Sequence, residues 1–201
     1  MLSGTFDQGI SFSKKFGGVR KVFEAKPWLL VGGFDFNLED LPAAGQVLPA
    51  GAPVNCNEET RKITPIYTIK VKEVAENVVT VAKDSWGVPV KVGMVAAGGG
   101  NITAVEDAGD TYKVTFDTAP STAVVDSVVT IYPKSVGGAG VKANALLPYD
   151  VCLDPAATWA KGEGAWMCEY PVLANRTFPL TDEIKTQLRE AGCGFYFSTR
   201  K

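Results

Sequence analysis

The sequence predicts a mainly β protein: a small antiparallel barrel or sandwich with an extended N-terminal arm and one short C-terminal helix. Three observations predict it. Apolar and polar residues alternate with a period of two through the middle of the chain, turn residues interrupt them at short intervals, and one late segment repeats its apolar positions at helical spacing.

The alternation defines the strands. Tyr67, Ile69 and Val71 alternate with Thr68, Lys70 and Lys72, giving one apolar and one polar face. Tyr112, Val114 and Phe116 do the same against Thr111, Lys113, Thr115 and Asp117. Val88, Val90, Val92 and Met94 carry the same period and predict a further strand. Val79-Thr80-Val81 and the run from Val128 to Tyr132 add β-branched stretches. Glu76-Asn77, Ser85-Trp86-Gly87, Gly98-Gly99-Gly100-Asn101, Ala108-Gly109-Asp110 and Ala119-Pro120-Ser121 separate them as turns. Together these elements outline a β-rich domain over 46–136.

Gly137-Gly138-Ala139-Gly140 reads as a flexible joint, followed by a return segment, 137–201, expected to pack on the β domain. Pro148, Pro155, Pro171 and Pro179 break it into short pieces. A helix is predicted over 182–191. Thr181 is placed to cap it, Asp182 and Glu183 suit the positive end of the helix dipole, and Ile184, Leu188 and Ala191 share a face. Gly192 suits the left-handed position that ends a helix, and Phe195-Tyr196-Phe197 reads as a closing strand. The chain shows no internal repeat.

Residues 1–45 form the predicted arm. Up to Lys26, Lys14, Lys15, Arg20, Lys21 and Lys26 outnumber Asp7 and Glu24, so this part of the arm is locally basic. One reading is a solvated terminus. The other is an extended arm that lies on a partner or a sister subunit, because Phe6, Phe12, Phe16, Phe23 and Trp28 are costly to leave in water.

Composition excludes several classes of function. Lys and Arg total 20 against 22 Asp and Glu, so the concentrated positive field of a dedicated nucleic-acid binder is missing. No apolar run reaches the roughly 20 residues that span a bilayer. The start lacks a basic segment and an apolar core, so folding in a cytoplasm is expected. Cys56, Cys152, Cys168 and Cys193 are scattered without metal or redox spacing, and four reduced thiols are expected.

The chain has no histidine, which removes the commonest general base and zinc ligand. The acidic pairs Glu39-Asp40, Glu58-Glu59 and Glu106-Asp107 sit beside turn residues, where solvated carboxylates are expected. The glycine clusters lack the Lys-Ser/Thr of a phosphate loop, and no EF-hand loop is present. Asn101-Ile102-Thr103 and Asn175-Arg176-Thr177 match a glycosylation sequon without a secretory signal. No enzyme, cofactor or metal is expected. Trp86, Trp159 and Trp166 are candidates for a sugar-stacking platform, with core or interface packing as the ordinary alternative.

One decapeptide carries a resemblance. Gly45-Gln46-Val47-Leu48-Pro49-Ala50-Gly51-Ala52-Pro53-Val54 resembles the G-x-V-L-P-A-G-T-P-V entry of tailed-phage head-fibre and capsid-decoration proteins, with Ala52 in place of the threonine. Physically, Pro49-Ala50-Gly51 makes a tight turn between two short strands, and Pro53 suits a sheet edge. Val88-Pro89-Val90-Lys91-Val92-Gly93-Met94 is similar to the k-V-G element of that class. Val141-Lys142-Ala143-Asn144-Ala145-Leu146-Leu147-Pro148-Tyr149-Asp150-Val151 resembles its N-x-L-L-x-x-D-V return segment.

The resemblance covers roughly 45–197. It implies a non-enzymatic virion protein on the outer capsid surface, bound to the major capsid protein and often a homo-oligomer, trimer or dimer. The end at Lys201 favours a decoration module or the base of a head fibre over a long fibre. A host-surface glycan is a possible further partner; nucleic acid and membrane are not expected. The alternative is a tail, collar or baseplate module with a carbohydrate-binding face. A small carboxylate enzyme is the rival from another class, and no convergent polar motif favours it.

Overall fold

The computed structural model describes residues 22–43, 46–82, 90–137, 140–154 and 156–199. Its architecture is mainly β, with curled sheets forming a half-barrel. The chain enters with β1 (Trp28–Leu29), β2 (Phe34–Phe36), a 3-10 turn over Leu38–Asp40, β3 (Val47–Leu48), β4 (Pro53–Asn57) and β5 (Lys62–Pro65). Then come β6 (Tyr67–Ala75), β7 (Val78–Ala82), β8 (Val95–Ala96), β9 (Ile102–Asp107), β10 (Thr111–Phe116) and β11 (Val128–Tyr132). The return adds β12 (Ala145–Leu146), β13 (Val151–Cys152), β14 (Ala160–Gly162), β15 (Ala165–Met167) and β16 (Val172–Leu173). A 3-10 turn over Ala174–Arg176, helix α1 (Asp182–Glu190) and β17 (Phe197–Ser198) complete it.

Two large sheets hold most of these strands, with β3-β13 and β16-β17 as separate two-stranded pairs, and the large sheets do not follow the boundaries read from composition. The six-stranded sheet, in the order β8-β11-β6-β7-β10-β9, is built from one continuous stretch, residues 67–132. The seven-stranded sheet, β1-β15-β12-β4-β5-β2-β14, draws on both sides of that stretch. The molecule is therefore a base assembled from both halves of the chain, with a β module inserted between Ile66 and Pro133. The predicted divisions at 45/46 and 136/137 cut across the base. Residues 22–43 are not a separate arm, because β1 and β2 are strands of the base sheet and Phe34, Phe36 and Leu41 are core.

In the inserted module the predicted alternation holds except at Thr68, which is buried between Tyr67 and Ile69. Val79, Val81, Val114 and Phe116 are buried while Lys70, Lys72 and Lys113 are exposed. Glu76-Asn77 and Ala108-Gly109-Asp110 turn the β6-β7 and β9-β10 hairpins, with Glu76 at φ 52° and Gly109 at φ 80°. The strand predicted over Val88–Met94 is not one across its described part, 90–94. Val90 and Met94 are buried, but a turn separates them, with Gly93 at φ 90° and Val92 left 61% exposed. The turn buries Val90 and Met94, four residues apart, and turns Val92 out of the face that the period of two had given it.

In the base, neighbouring residues face opposite cores. Ala145 joins a cluster that runs through Phe34, Val54 and Ile63 into Tyr67, Ile131 and Phe116 of the inserted module. Leu146 joins a second cluster with Val22, Phe23, Ile66, Val172, Ile184 and Leu188. Helix α1 covers this second face and forms as the sequence predicts. Thr181 Oγ1 accepts from the Ile184 N–H at 3.2 Å, Ile184 and Leu188 are buried, and Gly192 closes the end at φ 82°.

The decapeptide and the return segment meet in this base. Ala52 N–H donates to the Pro49 carbonyl at 3.1 Å, closing a turn with Gly51 at φ 79°. Gly51 N–H donates to Leu147 O, and Leu147 N–H to Ala52 O. Asp150 accepts from the Ala50 N–H at 2.7 Å, and β3 pairs with β13. Pro53 does not lie on a sheet edge. It opens β4, an interior strand, where its missing N–H is tolerated as the first residue. Two of the three stretches that carry the family resemblance thus form one clasp.

Candidate functional site

Of the predicted anchors, Phe6, Phe12, Lys14, Lys15, Phe16, Arg20 and Lys21 lie outside the described residues. Phe23 and Trp28 are described, and they differ. Phe23 is a core residue: it bridges to Val172, and its ring lies 6.5 Å from that of Phe195. Trp28 is 51% exposed on β1, the edge strand of the base sheet, and stands edge-on to Trp166 with ring centroids 6.1 Å apart. Among the described residues no strand pairs with the outer side of β1, and there the exposed Trp28, backed by the half-buried Trp166, forms a surface on which another chain can settle.

The three tryptophans considered as a platform do not come together. Trp86 lies outside the described residues, Trp166 packs with Trp28, and Trp159 precedes β14 at the opposite edge of the base sheet. At that edge lies an open groove of about 990 Å³. β2 and the turn after it contribute Asp35, Asn37, Glu39 and Asp40, while β5 contributes Lys62 and Thr64. Thr158, Trp159 and Lys161 line the β14 side, and Ser135 follows β11. Trp159 is 41% exposed, and the Lys161 ammonium stands 6.0 Å from its ring centre.

Asp40 overturns the expectation of solvated acid pairs, which Glu58-Glu59 and Glu106-Asp107 meet. It is only 2% exposed, because the 3-10 turn capped by Asn37 folds it inward between base and inserted module. Its Oδ2 accepts from the Ser135 hydroxyl at 2.7 Å, while Oδ1 has no partner among the described residues. Its backbone carbonyl accepts from the Tyr67 hydroxyl, and the next carbonyl, Leu41, accepts from Lys91 Nζ at 2.7 Å. Tyr67 opens the inserted module, Lys91 lies within it and Ser135 follows its exit, so Asp40 gathers the neck between the two parts. Burial pushes the Asp40 carboxyl above its ordinary range, against the Ser135 hydrogen bond and the nearby Lys91. Burial likewise pulls the Lys91 ammonium down, against Asp40 and Glu39. Sequence reasoning missed Asp40 because the partners that bury it are distant in the chain.

The four cysteines are free and buried. Burial raises Cys56 to about 12 and Cys193 to about 11, which leaves both as inert thiols at neutral pH. No group of three or more His, Cys, Asp or Glu side chains among the described residues is placed to hold a metal ion. No helix among them is long and apolar enough to cross a membrane.

Comparison with protein-family models, curated proteins and solved structures finds no match to this chain.

Proposed function

We propose that the chain is a non-enzymatic virion structural protein that decorates the outer capsid shell, or forms the base of a head fibre, by docking on the major capsid protein. The observation that carries this reading is the Trp28 edge of the base. Among the described residues this two-residue edge strand pairs on one side only, and on it Trp28, backed by Trp166, presents apolar area with little side-chain entropy to lose. Such edges accept a strand or loop from a partner. The basic stretch from Lys14 to Lys21 joins the base at Val22, six residues before Trp28, and adds attraction to an acidic shell. The clasp of decapeptide and return segment supports the reading through the family that those stretches resemble. It locates the resemblance in the framework of the base.

Sedimentation with assembled shells that lack this protein tests the proposal. The wild type is expected to co-sediment, and Trp28→Ala to bind about tenfold or more weakly while melting normally. Undiminished binding by the variant would remove the edge from the docking surface. A second reading, a tail, collar or baseplate module with a carbohydrate-binding face, is favoured by the exposed Trp159. Counting copies per virion separates the two: many for a shell decoration, few for a tail part.

A further inference from the structure

We infer that the groove at the β14 edge binds a neutral saccharide, with the Trp159 indole as its stacking face. The inference goes beyond docking on a capsid, since the groove lies at the sheet edge opposite Trp28. Sugar rings offer a flat C–H face flanked by hydroxyls, and sites that hold them pair an exposed aromatic face with hydrogen-bonding groups of both kinds. Around Trp159 the groove supplies carboxylate acceptors at Asp35 and Glu39, ammonium donors at Lys62 and Lys161, and the Asn37 amide.

Asp40 lines the groove as a residue, but its Oδ1 is closed off from solvent and so takes no part in the site. Charge decides the class of sugar. The groove sets Asp35, Glu39 and Asp40 against Lys62 and Lys161, so it offers no positive field for sialylated or sulfated glycans. Of the other apolar residues that line it, Phe36, Ile63 and Ala160 are core residues and Leu38 is half-buried, so Trp159 is the one broad exposed apolar face among the described lining residues.

The test uses the full-length protein with four neutral probes (the hexaoses of maltose, mannose, cellulose and chitin type) and sialyllactose as the charged control. Calorimetry and tryptophan fluorescence are expected to show at least one neutral probe binding with a Kd in the millimolar range or below. Trp159→Ala is expected to weaken it about tenfold or more, Trp159→Phe to restore part of the loss, and Trp166→Ala to change nothing. In the unmodified protein the same probe should shield Trp159 from hydroxyl-radical oxidation, read by mass spectrometry. This readout needs no variant to fold. The inference is overturned if no neutral probe binds at about 10 mM. It is equally overturned if Trp159 is not shielded, if Trp159→Ala binds as well as the wild type, or if sialyllactose is preferred. None of these results bears on capsid co-sedimentation, so the two proposals fail separately.

Discussion

Asn144 pairs with Cys56 as a strand neighbour would, but with its side chain. Asn144 Oδ1 accepts from the Cys56 N–H at 2.7 Å, and Asn144 Nδ2 donates to the Cys56 carbonyl at 2.8 Å. Its backbone N–H meanwhile donates to Val54 O at 3.0 Å. One residue thus extends the β12-β4 ladder by two further bonds before β12 begins, tying the return segment to the strand that follows the decapeptide.

Replacing Asn144 should therefore be costly for a half-buried polar side chain. Asn144→Ala strands a donor and an acceptor of Cys56, at about 1–1.5 kcal/mol each, so a loss of about 2–3 kcal/mol is expected. Asn144→Asp keeps the acceptor and loses the donor, and should fall between. Urea unfolding of the three proteins measures this. Equal midpoints would mean that water replaces the side chain without cost.

Asp40 gives stability a pH dependence. Because burial raises its carboxyl above the ordinary value of 3.8, the folded chain keeps a proton that the unfolded chain has released between those two values. Stability from this group therefore falls as pH rises through that window and stays low at neutral pH. Asp40→Asn removes the titration. Since burial outweighs the Ser135 bond and the Lys91 attraction, the variant should gain Tm over the wild type between about pH 4 and about pH 7. A gain that does not grow with pH would contradict this.

The thiols should be silent in the folded protein. Cys56 and Cys193 are held far above neutral pH by burial, and the thiolate is the reactive form. Ellman's reagent should react slowly with native protein and titrate all four cysteines after denaturation without reductant. Fewer than four would reveal a disulfide.

How much of this was legible depended on the range of the interaction. The hairpins of the inserted module and helix α1 rest on contacts close in sequence, so Val79, Val114, Phe116, Thr181 and Gly192 announced them. The base sheet did not announce itself. Its strands β1, β12, β14 and β15 are two or three residues long, too short for a period, and their partners lie up to more than a hundred residues away. Val90 and Met94 misled because a turn at Gly93 buries them at strand-like spacing. Trp159 was visible as a candidate, but the Asp35, Lys62 and Asp40 that surround it became neighbours only through β2-β5 and β14-β2 pairing.

The N-terminal boundary offers the sharpest test, because two deletions only five residues apart should behave differently. The described core begins at Val22, which is buried against the second cluster and whose carbonyl accepts from the Leu173 N–H at 2.9 Å. Phe23 follows, bridged to Val172 and packed on Phe195. Deleting 2–26 removes both side chains from that core, each worth about 1.5–3 kcal/mol, and a loss of about 3–6 kcal/mol is expected. Such a loss is comparable with the whole stability of many domains, so this protein should melt early or fail to fold. Deleting 2–21 leaves Val22 and Phe23 in place and is expected to keep the wild-type Tm. It also removes Lys14, Lys15, Arg20 and Lys21 with Phe6, Phe12 and Phe16, and so isolates their contribution to docking. Under the capsid proposal the shorter deletion should bind shells more weakly, and the wild type should lose more affinity with added salt than the truncated protein does. If the 2–21 deletion melts normally and binds shells with unchanged affinity and salt dependence, docking rests on the base alone, and the Trp28 edge must account for it.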